Sequence, residues 1–160
     1  MSAALPERPT PLVERRRFAI VAGSYNAGFV DGLVGGAQTE LAVIAPGSSV
    51  EVHRVPGSFE IPLAVQELAE RGVADAIFAF GLLWEGQTRH ADLIATAVTG
   101  ALLGLSLRFR LPVLHEVIVV KTDEQARERC LDPTLNRGTE AARTAVRMLQ
   151  ALEGIQHHDR

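Results

Sequence analysis

The densest run of chemically useful side chains is Trp84-Glu85-Gly86-Gln87-Thr88-Arg89-His90, which follows the apolar run Ala76-Ile77-Phe78-Ala79-Phe80-Gly81. The pattern predicts a strand that stops on Gly81, a polar loop, and a helix that opens on Thr88 with His90 in its first turn. In an open α/β sheet, ligands bind outside the carboxyl ends of the strands. A helix start there offers free backbone N–H groups and a positive dipole end to an anion. Imidazole titrates near neutrality, and the helix dipole opposes its protonated form, so His90 can both accept and release a proton. One loop thus supplies an anion cradle and a proton carrier.

Three other segments gather at predicted strand ends or nearby. Ser24-Tyr25-Asn26 follows the first apolar run, Pro56-Gly57-Ser58-Phe59-Glu60 follows the second, and Leu114-His115-Glu116 lies within the fourth. Each alone is weak: Gly57-Ser58 is equally a plain helix N-cap, and an aromatic at a strand end commonly lids a core. Arg127-Glu128-Arg129 and Asn136-Arg137-Gly138 read as solvated faces unless the fold brings them to a phosphate, which the guanidinium fork fits. His53 has no companions and reads as structural, and the adjacent His157-His158 make a poor metal site. The chain has no Walker-type loop, no Gly-x-Gly-x-x-Gly, no zinc-spaced cysteines and no nucleophile elbow, so the expectation is chemistry without cofactor or metal.

These segments need a scaffold, and the apolar pattern supplies one. Strands are predicted at 17–22, 49–55, 74–80 and 112–119, and helices at 28–44, 59–71, 88–108, 123–130 and 137–152. Their alternation implies right-handed βαβ units and a parallel sheet covered on both faces. Gly72 is a helix stop, and Pro62 falls in a first turn, where proline is tolerated. Ala97, Gly100, Ala101 and Gly104 mark a helix that packs closely, either on the sheet of its own subunit or on a helix of another. Residues 1–16, with Pro6, Pro9 and Pro11, read as an arm that orders against a partner; 17–153 form a single domain, and 154–160 a tail.

At 160 residues the chain suits one domain with a real core. A formal charge of −3 argues against non-specific nucleic-acid binding. By the sequence pattern no apolar run is long enough for a membrane span. Arg15-Arg16-Arg17 before Phe18 imitates a signal peptide, but the apolar run that follows is too short. Cys130 is the only cysteine, so no internal disulfide forms and a reducing cytoplasm is the expected compartment.

Several of these segments together resemble the lumazine synthase family. They are Ser24-Tyr25-Asn26, Val55-Pro56-Gly57-Ser58-Phe59-Glu60-Ile61-Pro62, Gly86-Gln87-Thr88-Arg89-His90, Pro112-Val113, the 124–129 stretch Glu-Gln-Ala-Arg-Glu-Arg, and Asn136-Arg137-Gly138-Thr139-Glu140-Ala141-Ala142. The resemblance implies a flavodoxin-like three-layer αβα sandwich with a four-stranded parallel sheet, assembled at least into homopentamers whose active sites are shared by neighbours. It implies condensation of 5-amino-6-ribitylamino-uracil with 3,4-dihydroxy-2-butanone 4-phosphate, releasing inorganic phosphate and water. By position, Tyr25 would stack on the pyrimidine beside Asn26. Ser58, Phe59 and Glu60 would hold the ribityl chain and ring edge, and Leu82, Leu83 and Trp84 would line the ring. Gln87 and Thr88 would bind phosphate, and His90 would shuttle protons. From the neighbour, His115 would face the ring while Arg129 binds phosphate with help from Arg137.

Four departures from the family's pattern bear on this. His115 stands where phenylalanine is usual, Glu85 where a basic residue is usual, and Pro133 where lysine is common. Val119-Val120-Lys121 replaces a Thr-Thr-[Asp/Glu] stretch. They keep open a second reading, a catalytically reduced assembly or cargo shell; a flavin- or nucleotide-binding module is a third. The short 130–138 loop suits a sixty-subunit shell in this family, but the arm's prolines oppose strand addition to a neighbour, so an isolated pentamer or a pair of them is favoured.

Overall fold

The computed structural model describes residues 4–157; residues 1–3 of the arm and 158–160 of the tail, His158 among them, lie outside the described residues. Four strands form one parallel sheet: β1 (Arg17–Gly23), β2 (Ser49–Val55), β3 (Ala76–Trp84) and β4 (Val113–Val120), in the order β2-β1-β3-β4. The helices are α1 (Ala27–Ile44), α2 (Ile61–Arg71), α3 (His90–Phe109), α4 (Asp123–Cys130) and α5 (Arg137–His157). The inner strands β1 and β3 are buried almost throughout because helices cover both faces.

Side-chain alternation along these strands sorts the core into two layers. Phe18, Ile20 and Ala22 of β1 and Phe78, Phe80 and Leu82 of β3 meet α1, α4 and α5. Ala19 and Val21 with Ile77 and Ala79 meet α2 and α3. The first layer carries the aromatic bulk, with the Phe18 and Phe78 rings 6.1 Å apart and Phe78 and Phe80 5.6 Å apart. Each such fully buried side chain contributes roughly 1.5–3 kcal/mol. The result is a three-layer αβα sandwich. Its strand order is the flavodoxin order short of one edge strand, and its switch point lies between β1 and β3.

The structure moves several expected boundaries. β3 does not stop at Gly81 but runs on to Trp84, because β4 keeps pairing with it through Trp84↔Val120. The glycine serves close approach instead, since a Cβ at Gly81 would collide with the Ser58 hydroxyl. A 3-10 turn, Ser58–Glu60, precedes α2, and α3 opens at His90 rather than Thr88. α5 continues past 152 to His157.

By length and hydropathy alone, α3 is apolar enough to cross a membrane. In the fold it lies on the sheet through Ala91, Val98, Leu102 and Leu105. Ala97, Gly100, Ala101 and Gly104 are instead exposed, and among the described residues a Cβ on either glycine would meet nothing within 4 Å beyond its own helix. Packing on the subunit's own sheet therefore does not explain the small residues.

The arm finds its partners within its own chain. Arg8 grips Glu40 of α1 through two bonds of 2.8 and 3.0 Å, and Arg143 of α5 donates to the same carboxylate at 2.8 Å. Leu12 is buried, and its amide donates to the Ile44 carbonyl at 2.8 Å. Gln150 donates to the Thr10 carbonyl at 2.8 Å. Hydrogen bonding from Arg8, aided by Arg143, holds the Glu40 carboxyl below its ordinary range despite burial.

Glu40→Ala should cost roughly 1.5–3 kcal/mol, because it leaves the half-hidden Arg143 guanidinium short of a charged partner. A carboxyl lowered on folding contributes stability above its ordinary value that is lost as pH falls through the folded value. Urea midpoints should therefore show an acid step in the parent that the variant lacks, and the Leu12 amide should exchange faster in the variant.

Candidate active site

Three chain turns converge at the carboxyl ends of β1, β2 and β3. After β1 the backbone folds onto the next turn: Ser24 N donates to Val55 O at 2.8 Å and Tyr25 N to Pro56 O at 3.0 Å. Asn26 adopts the left-handed conformation (φ 59°), which asparagine tolerates better than most residues. Its side chain donates to Leu82 O at 2.9 Å and accepts from the Trp84 indole N–H at 3.0 Å. Trp84 also sits edge-on to Phe29, with ring centroids 5.9 Å apart.

The second turn is fixed by its own glycine. A Cβ at Gly57 would lie 2.9 Å from the Tyr25 ring and 3.0 Å from the Glu60 carboxylate, so the aromatic ring rests on bare backbone. Glu60 accepts from Gly57 N at 3.0 Å. Its carboxylate is thus turned back on its own turn. Ser58 is buried against Gly81, whereas the Tyr25 ring is 68% and Phe59 61% exposed. Leu82 lies in the core with Phe80, leaving half-buried Leu83 and exposed Trp84 at the rim. Gln87, Thr88 and His90 are exposed, with His90 the first residue of α3, which packs against the 3-10 turn.

The remaining expected residues lie along β4 and its neighbouring helices. A cleft of about 530 Å³ runs beside β4, lined by Glu116, Lys121, Gln125, Glu128, Arg129 and Arg137 among others. Among the described residues, none of Tyr25, Ser58, Trp84 or His90 lines it. Arg137 is buried and paired with Glu140. His115 points to the other face of β4. Its Nδ1 accepts from Val117 N at 3.0 Å, which leaves Nε2–H to donate to Thr99 Oγ1 at 2.7 Å. Burial lowers its pKa, in keeping with that neutral tautomer.

Two candidate groups therefore exist, one at the switch point and one beside β4. The profile of the 6,7-dimethyl-8-ribityllumazine synthase family matches residues 15–153, which takes in every segment just described. The chain belongs to that family. It is 41% identical to the 6,7-dimethyl-8-ribityllumazine synthase of Aquifex aeolicus over 146 residues, covering 89% of this chain and 94% of the relative. For the Halorhodospira halophila protein of the same name the identity is 39% over 141 residues, covering 88% and 90%. For that of Xanthomonas euvesicatoria it is 37% over 138 residues, covering 86% and 90%.

Sequence reasoning named Glu116 only as part of a segment. The signal was an acidic residue inside the apolar run 113–120. Burial pushes its carboxyl up to about 7, against the pull of Arg137 and with the help of Glu140. Burial, and then Glu116, push the Cys130 thiol up to about 12, so Cys130 acts as a core residue.

A carboxyl raised on folding contributes stability that is full below its ordinary value, near 4.5, and is lost as pH rises through about 7. Glu116→Gln should therefore gain stability over the parent at pH 8 by roughly 1–2 kcal/mol, after allowance for solvent screening, and should match it near pH 5. Urea midpoints across that range check this, and parallel profiles would contradict it.

Proposed function

We infer that this chain catalyses the reaction of its family, joining 5-amino-6-ribitylamino-uracil to 3,4-dihydroxy-2-butanone 4-phosphate with release of inorganic phosphate and water. The observation that carries this reading is the meeting of the Tyr25 ring, the Gly57–Glu60 turn and the carboxyl end of β3, from which the Gly86–His90 loop leads, at the β1/β3 switch point of a lumazine synthase family chain. Imine formation between an amine and a ketone, phosphate elimination and ring closure all move protons. His90, the exposed first residue of α3, is the group to which we assign them. Holding two substrates against each other supplies much of the remaining acceleration.

Tyr25 offers an exposed ring for stacking on the pyrimidine, with Trp84, Leu83 and Phe59 at the rim. Ser58 holds the ribityl end. Asn26 and Glu60 stand beside them as substrate-binding residues; Glu60 bonds Gly57 N through one oxygen, which leaves the other to accept from the ribityl chain or ring edge. Leu82 backs the ring from the core. Gln87 and Thr88 give phosphate the backbone N–H groups and hydroxyl of a helix entry. Arg129 and His115, with Arg137 behind them, serve the site of a neighbouring subunit as phosphate ligand and ring wall.

That division requires a closed homo-oligomer, and a pentamer is the minimum we propose. Two features favour it: the exposed small-residue stripe of α3, and the apolar Leu93, Leu103 and Leu107 beside it, the last 71% exposed. The cytoplasm is the proposed compartment. We place residues 17–153 in one catalytic domain, with 1–16 as an arm and 154–160 as a tail.

Mixing the purified protein with the two substrates should generate the fluorescence of the lumazine product; no product at any concentration would sink the reading. His90→Ala should slow steady-state turnover on the order of a hundred-fold while leaving molar mass by light scattering unchanged.

A further inference from the structure

Glu85 opens the loop that leads to Gln87 and Thr88, and Lys121 directly follows the last residue of β4; the Lys121 ammonium lies 3.3 Å from the Glu85 carboxylate. Backbone bonds fix both ends of this pair. Glu85 N donates to Val120 O at 2.8 Å, and Lys121 N donates to the Gln125 side chain at 2.8 Å. Gln125 in turn donates its own amide to the Thr122 hydroxyl at 3.2 Å, which caps α4. Lys121 also lines the cleft that holds Arg129. The pair therefore ties the switch-point loop to the element that carries the phosphate arginine.

We propose that Lys121 is a positioning residue for the anion-binding loop, holding Glu85 against the end of β4 and cancelling its charge two residues before the phosphate-receiving Gln87. The proposal rests on the reading that Gln87 and Thr88 receive the phosphate. An exposed ion pair adds little to global stability, so its consequence falls on local charge and loop placement. A free carboxylate beside a phosphate dianion repels it, whereas a paired one does not. Glu85 is thereby made compatible with phosphate binding.

The test compares the parent, Lys121→Glu, and the charge-swapped double variant Glu85→Lys/Lys121→Glu, all as assembled protein. Lys121→Glu should raise KM for the phosphorylated ketone about five- to ten-fold and leave KM for the amine within about two-fold. Thermal midpoints should stay together, because a merely structural role would move them instead. The double variant should return to within about two-fold of the parent, since the swap restores the pair. Titration calorimetry with inorganic phosphate should show the same loss and recovery.

Unchanged kinetics in Lys121→Glu would overturn the proposal. So would a double variant no better than the single, which would mean that Lys121 meets phosphate on its own. If the parent makes no lumazine while phosphate binding still follows the pattern, the reaction reading fails and the positioning role stands. Should Lys121→Glu misfold by circular dichroism, Lys121→Gln replaces it, with a two- to three-fold rise in KM expected at about half the charge change.

Discussion

The Leu82 carbonyl is the point on which the architecture of the site depends. β1 pairs with β3 only as far as Ala22↔Phe80, while β4 continues to Trp84↔Val120. The last turn of β3 therefore projects past its inner neighbour with one edge unpartnered, and a bare carbonyl there would carry the cost of an unmade hydrogen bond. The Asn26 amide takes the place of the missing strand, and its oxygen accepts the Trp84 indole. Because Asn26 is left-handed and follows Tyr25 directly, the same contact sets where the Tyr25 ring falls. The ring's resting place, Gly57, then fixes the second turn. The positions of ring, turn and loop follow from one strand outrunning its neighbour.

The charged residues divide along the same line. The switch-point group is aromatic around Tyr25 and Trp84, whereas the β4 cleft gathers Arg129, Arg137 and Lys121 with Glu128 around a carboxyl that burial keeps near neutral titration. A reaction between an aromatic amine and a phosphorylated ketone needs both environments. In the proposed assembly two subunits supply them, which lets each be built on a rigid edge of the sandwich. On this account assembly completes the site as well as enclosing it.

Much of this was readable from the chain, and the failures have physical causes. Every strand and helix could be placed, because buried parallel strands are short continuous apolar runs and the covering helices repeat at a longer period. Gly81 misled because a glycine after an apolar run signals a stop as often as a close approach, and only the neighbouring Ser58 distinguishes them. The arm's docking rests on Glu40 meeting Arg8, 32 residues away, and Arg143, 103 residues away. No local pattern encodes such contacts. The candidate site residues were proposed as a set through family resemblance, but the bonds they make within the chain were not legible. Asn26 and Glu60 each make a bond that holds a turn of the site, and no local pattern shows that second use. Glu85 read alone looked hostile to phosphate; its partner Lys121 lies 36 residues on, just past the end of β4.

The central claim is that one active site draws His90 from one subunit and Arg129 from another. Subunit complementation tests it most directly. His90→Ala and Arg129→Ala chains, each nearly inactive alone, are unfolded, mixed in equal amounts and reassembled. If sites are shared, random mixing leaves about one site in four with both residues intact, so the mixture should recover about a quarter of parental turnover. Activity no greater than the average of the two variants, in mixed oligomers verified by mass, would place both residues in a single chain's site and contradict the account.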